Sequence, residues 1–188
     1  MYKYILFDFD GTVFDTVEGI TKSVQYALAK RGIEAELDSL RCFAGPPLVD
    51  MFMEKFDLTQ EEAEAATDDF RERYQPIGLY ECRVFPGIKE LLHALIGAGL
   101  HVGIATSKPQ HLAEKLLEGE GMLELFEVIS GSDSDGNNNS KAAVLTRAMN
   151  ALGADKKETV LVGDTKYDVA GAKACGVDCI GVRYGYAA

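Results

Sequence analysis

At 188 residues, 47% hydrophobic and 26% charged, the chain has the size and composition of one soluble domain, or of one domain with a small insertion. A formal net charge of −11 speaks against a generic binder of nucleic acid or anionic membrane, either of which calls for a basic field; a small anionic substrate stays open, because a local site on an acidic protein can be positive. No apolar run approaches the roughly 20 residues that span a bilayer, and the N-terminus enters a strand at once, without the regions of a secretion signal.

The first element sits in residues 3–12, Lys-Tyr-Ile-Leu-Phe-Asp-Phe-Asp-Gly-Thr. Its apolar run Tyr4-Ile5-Leu6-Phe7 predicts a strand buried on both faces, as inside a parallel sheet. Asp8 and Asp10 follow, and in an extended chain residues two apart point the same way. Carboxylates are rare in strands and costly to bury unpaired, so the pair predicts a cation and phosphate site with a carboxylate nucleophile in preference to a strand-ending turn with solvated acids. Asp15-Thr16 can cap a helix over about 17–31 with Gly32 at its end. Pro46-Pro47 opens a second helix carrying Leu48, Met51, Phe52 and Phe56. Thr59-Gln60-Glu61-Glu62 is a capping box that starts a third, with Ala63, Ala66, Phe70 and Tyr74 inward. Residues 15–82 therefore read as helices without a convincing strand.

The pattern changes at Val84-Phe85-Pro86-Gly87. A helix with Leu91, Leu92, Leu95 and Ile96 is followed by a strand over 101–106, then a helix after Pro109 and a strand over 127–130. Beyond the polar loop 130–140 come a helix closed by Gly153, a strand over 159–162, a helix over 167–175 and a last strand over 179–182. Apolar strands alternating with amphipathic helices predict an α/β fold, a Rossmann-like parallel sheet with right-handed crossovers. The first strand is separated from its partners by the helical stretch, which reads as an insertion: residues 1–14 and 83–188 form the core, 15–82 an inserted all-helical cap. Cys42, Cys82, Cys175 and Cys179 lack Cys-x-x-Cys spacing and, with three histidines, form no zinc pattern; free thiols in a reducing, cytoplasmic setting follow.

In an open α/β sheet ligands sit beyond the carboxyl ends of the strands, and here those ends are loaded. One ends in Asp8 and Asp10, another in Thr106-Ser107-Lys108, another in Gly163-Asp164 with Asp168 four residues later, and Lys141 opens a helix. Taken singly, Asp168 is most simply a helix cap and Lys141 a solvated lysine. Together they suit phosphoryl transfer, which needs a nucleophile, charge neutralisation and help for the leaving group. Asp8 and Asp164 offer hard oxygens suited to Mg²⁺. Thr106, with the amides after it at Ser107, can hold phosphate oxygens, and Lys141 adds a point charge. Asp10 is placed to protonate a leaving alkoxide and later to activate water.

In order, Asp8-Phe9-Asp10-Gly11-Thr12, Thr106, Lys141 and Gly163-Asp164-x-x-x-Asp168 resemble the four motifs of the haloacid-dehalogenase superfamily. The resemblance implies Asp8 as the residue that becomes aspartyl phosphate and Asp10 as general acid/base. It implies Thr106 and Lys141 as phosphate ligands, and Mg²⁺ held by Asp8, the Asp10 carbonyl and Asp164, with Asp168 in support. Asp10 favours a phosphatase over a dehalogenase. The helical insertion resembles the C1 cap of the phosphoglycolate-phosphatase-like and 5′-nucleotidase-like branch, with Arg41 and Gly45-Pro46-Pro47 as candidates to reach the leaving group. Two departures stand out. The loop lacks the basic residue near Asn138 seen in nucleotidase-like members, and the chain stops at Tyr186-Ala187-Ala188, where relatives continue.

A small phosphorylated metabolite is thus the expected partner, for a monomer or weak dimer, without nucleic acid or membrane. A phosphomutase of the same superfamily is the nearer rival. A receiver-like phosphoacceptor would carry adjacent acids and a later acceptor strand, and a non-catalytic binding protein would not need every chemical position filled.

Overall fold

The computed structural model describes residues 1–133 and 139–186; the sequence departure near Asn138 lies outside them. The chain divides into two compact units, Met1–Phe14 with Val84–Ala188, and Asp15–Arg83.

The first unit is built on a five-stranded, all-parallel sheet. Its strands are β1 (Tyr4–Phe7), β4 (His101–Pro109), β5 (Val128–Ser132), β6 (Thr159–Gly163) and β7 (Asp178–Gly181), in the spatial order β5-β4-β1-β6-β7. The short strands β2 (Phe14–Asp15) and β3 (Arg83–Val84) pair where the chain leaves this unit and returns. β1 is central, with Ile5, Leu6 and Phe7 buried, which is why its sequence is a continuous apolar run rather than an alternation. Phe7 lies level with Ile104 on one side and Val162 on the other, so three strands end along one edge. Strand order reverses at β1, the place where α/β sheets open a crevice for ligands.

Leu6, Ala105 and Leu161 pack with Val144, Leu145 and Ala148 of α6 (Lys141–Leu152) and Ala172 of α7 (Lys166–Cys175). Ser140 caps α6 by accepting from the Ala143 N–H, and Gly153 closes it in the left-handed region. α4 (Ile88–Gly97) and α5 (Gln110–Gly119) pack against β4. β4 runs three residues beyond the expected end, to Pro109, with a register shift against β5 between Ala105 and Pro109.

The second unit holds α1 (Val17–Ala29), α2 (Leu48–Phe56) and α3 (Gln60–Tyr74), around Val24, Leu28, Leu40, Phe52 and Phe70. The Thr59 hydroxyl accepts from the Glu62 N–H while Glu62 accepts from the Thr59 N–H, closing the expected capping box. Thr16 stands at the N-cap of α1 but its side chain makes no capping bond; Asp15 pairs with Arg83 instead. A 3₁₀ turn over Leu37–Phe43 has no counterpart in the periodicity, because its three-residue repeat is too short to register there. Among the described residues no helix is long and apolar enough to cross a membrane.

Leu161 is fully buried against α6 and α7, so Leu161→Ala should cost about 2–5 kcal/mol, whereas Thr59→Ala, losing one exposed cap, should cost about 1 kcal/mol. Chemical denaturation of the two variants checks the ranking; a greater loss at Thr59 would contradict this account of the core.

Candidate active site

Asp8 follows β1 and its N–H donates to the Val162 carbonyl at 2.8 Å, tying the end of β1 to β6. Its carboxylate Oδ1 accepts from the Phe9 N–H at 2.7 Å and faces the Lys141 ammonium, also at 2.7 Å. Lys141, the first residue of α6, is buried; its Nζ further pairs with Asp168 Oδ1 at 2.9 Å and donates to the Ala105 carbonyl at 3.2 Å. Two buried carboxylates thus balance the ammonium as ion pairs, while the Ala105 carbonyl accepts a hydrogen bond from it. The lysine stem passes α7 at Gly171, where a Cβ would lie 2.5 Å from Lys141 Cγ. Only glycine leaves that path open.

Asp168 carries out two tasks at once. One oxygen, Oδ2, accepts from the Thr165 N–H and hydroxyl at 2.9 and 2.8 Å, capping α7. The other is fully buried and, among the described residues, is compensated by the ion pair with Lys141 alone. Oδ2 thus closes the capping box of α7, while Oδ1 faces the same ammonium as Asp8.

Asp164 extends from the end of β6. Its Oδ2 accepts from the Tyr186 N–H at 2.7 Å and its Oδ1 faces the Thr12 hydroxyl at 3.5 Å. Gly11, at φ +80°, brings its backbone so close that a Cβ would sit 2.3 Å from Asp164 Oδ2; both the positive φ and the approach require glycine. Asp8, Asp164 and Asp168 each offer a carboxylate oxygen, all within 4.8 Å of one another. With Asp10 they set four carboxylates against the ammoniums of Lys108 and Lys141. With all four ionised, the formal excess of two negative charges and the all-oxygen donor set fit one hard divalent cation.

Burial pushes the Asp8 carboxyl up to about 7, against the pull of Lys141, and likewise raises Asp164. Burial also opposes the charge on Lys141, yet Asp8 and Asp168 keep its pKa above the ordinary lysine value. Against the same penalty, Lys141 and Thr165 hold Asp168 below the usual carboxylate range.

Of the remaining sequence candidates, Thr106 is buried at the register shift of β4 and its hydroxyl accepts from the Lys108 N–H at 3.2 Å. Ser107, one residue on, is exposed, as strand alternation requires. Lys108 returns to the Thr106 side: buried, its Nζ lies 3.1 Å from Asp10 Oδ1. Its contact with Asp10 was not anticipated, though the two-residue spacing from Thr106 carries the signal. Arg41 belongs to the other unit, exposed on the turn Leu37–Phe43. Tyr186 contributes through its backbone N–H, which residue type does not reveal.

Asp8 ordinarily titrates near 3.8, so between about 4 and 7 the folded protein holds a proton that the unfolded chain releases. Through this group, stability is fully present below about 4 and declines as pH rises to about 7. A divalent cation favours ionised Asp8 and should raise the melting temperature increasingly over that window; thermal melts at pH 5 to 8 with and without Mg²⁺ test this, and a cation effect independent of pH would count against it. Gly171→Ala, which forces the Lys141 stem aside, should lower stability by about 1–3 kcal/mol in the same melts; a neutral result would mean the stem has room to spare.

The haloacid dehalogenase-like hydrolase family matches residues 5–182 of this chain. The chain is 42% identical to a 5′-nucleotidase of Pseudomonas aeruginosa over 186 residues, 98% of this chain and 84% of that protein. It is 37% identical to tyrosine-protein kinase PtkA of Mycobacterium tuberculosis over 185 residues, 98% of this chain but 63% of the kinase. In structure it resembles a predicted phosphatase from Clostridium acetobutylicum, with a TM-score of 0.95 at 40% identity, covering all of this chain and 88% of that one. Because the family match extends from the strand that delivers Asp8 to the strand that follows Asp168, the chain belongs to the haloacid dehalogenase-like hydrolases.

Proposed function

We propose that this phosphatase is a Mg²⁺-dependent phosphomonoesterase that works through an aspartyl phosphate on Asp8, acting on a small metabolite of the phosphoglycolate or nucleoside-monophosphate class. The observation that carries the reading is the state of the Asp8 carboxylate. Its Oδ1 is committed to Lys141 and the Phe9 N–H, which fixes the group's orientation and leaves Oδ2 to attack phosphorus.

Asp8, Asp164 and the Asp10 carbonyl are the assigned holders of Mg²⁺, with Asp168 supporting them through Lys141. When bound, Mg²⁺ supplies charge neutralisation at the phosphoryl oxygens. As the Asp8 oxygen bonds to phosphorus, the ester oxygen departs and takes a proton from Asp10. Water then attacks phosphorus with its proton passing back to Asp10, which releases phosphate and restores Asp8. Thr106 and the amide of Ser107 are assigned to the phosphoryl oxygens, and Lys141 keeps positive charge beside them. Residues 15–82 are read as the family's C1 helical cap on a core of 1–14 and 83–188, with Arg41 and Gly45-Pro46-Pro47 as its substrate-selecting candidates. The metabolite would be met in the cytoplasm by a monomer or weak dimer.

The name of the Pseudomonas aeruginosa relative supports nucleoside monophosphates, and the branch resemblance supports phosphoglycolate. A panel of phosphoglycolate, nucleoside 5′-monophosphates and sugar phosphates, assayed for phosphate release with Mg²⁺ and with chelator, tests the proposal. Release should need the metal and fall to background in Asp8→Asn. Wild-type rate in that variant, or undiminished release in chelator, would overturn the mechanism; return of the phosphoryl group to a sugar phosphate instead of water would mark a mutase.

A further inference from the structure

Among the described residues, Lys108 makes a buried contact at these strand ends that neither the cation site nor the nucleophile accounts for. Its side chain is 4% exposed, and its Nζ lies 3.1 Å from Oδ1 and 3.5 Å from Oδ2 of Asp10, straddling the carboxylate. The same ammonium stands 5.6 Å from the centre of the Phe9 ring, within the range where a cation is drawn to an aromatic face. Burying a lysine is costly unless its charge is compensated. Placing it astride a carboxylate in the turn after β1 is therefore a specific arrangement, reached from β4 by the same two-residue alternation that buries Thr106.

From this geometry we infer that Lys108 is a positioning residue for Asp10. It holds the carboxyl in one orientation while Asp10 hands its proton to the departing ester oxygen, and it faces the anion that Asp10 then becomes. The inference rests on the phosphatase reading above, in which Asp10 is the acid of the first step. It makes a demand that a purely structural lysine would not: the effect of losing Lys108 must depend on how much the leaving group needs a proton.

The parameter kcat/KM reports events up to leaving-group departure. An alkyl phosphate such as phosphoglycolate leaves as a basic alkoxide and depends on Asp10, a dependence worth about 10²–10⁴-fold for a well-placed general acid. p-Nitrophenyl phosphate leaves as a stabilised phenolate and needs little protonation. Lys108→Met should therefore lower kcat/KM for the alkyl ester about tenfold or more beyond its loss on the aryl ester. In the Asp10→Asn background the same change should add less than about twofold, because the two residues act as one unit. Lys108→Arg should restore part of the alkyl-ester rate, whereas Lys108→Gln, which keeps a donor without charge, should not. Equal losses on both esters in an active protein, or additive effects of Lys108→Met and Asp10→Asn, would overturn the positioning role while leaving the phosphatase reading intact. A wild-type protein inactive on both esters would overturn the reading and this inference together.

Discussion

The site depends on one buried ammonium. Lys141 holds Asp8, Asp168 and the Ala105 carbonyl within 3.2 Å, which joins the end of β1 and the middle of β4 to the starts of α6 and α7. Without it, Asp8 and Asp168 would each lose a buried counter-charge. Removing one partner of a buried ion pair leaves an uncompensated charge, a cost of about 3–5 kcal/mol in typical cases. The arrangement therefore fixes the direction of the Asp8 carboxylate far more firmly than a surface contact could. Gly171 belongs to the same constraint, since the lysine reaches the sheet edge only past a residue without a side chain.

The sheet supplies the rest of the order. With Phe7 level with Ile104 and Val162, the residues just beyond that level, Asp8, Thr106 and Asp164, emerge together at the reversal of strand order. Chemistry is thus delivered by rigid strands and trimmed by turns: Gly11 lets the backbone pass beside Asp164, and the Tyr186 N–H fixes that carboxylate from the far end of the unit. This also reconciles a net charge of −11 with an anionic substrate. The local excess of carboxylates suits a divalent cation, while Lys108 and Lys141 keep positive charge at the two acids that would do the chemistry. Global charge speaks to steering and non-specific binding; it says little about a site defined over a few ångströms.

Local chemistry was the legible part. The alternation of apolar runs and amphipathic stretches predicts the parallel α/β sheet because buried strands need continuous apolar faces, and the helical 15–82 stretch stands out for lacking them. Asp8, Lys141, Asp164 and Asp168 could be picked out because charged residues at strand ends and helix starts need a reason. Which groups each one meets there was not legible. Asp168 reads as a cap in sequence and is one, yet its second oxygen answers Lys141, a fact that depends on two helices packing side by side. Thr16 reads as a cap and makes no capping bond.

By itself, the sequence determined the α-helices, the strands of the parallel sheet, their order and the residue types at their ends, because these follow from periodicities of two and 3.6 residues and from the cost of burying charge. Tertiary structure alone decided the pairings. Lys108 meets Asp10 across 98 positions and Lys141 meets Asp8 across 133, distances in sequence that no local pattern encodes. Such contacts exist only once the register of β1 with β4 and β6 has been set, and the low dielectric behind those strands then makes each of them strong.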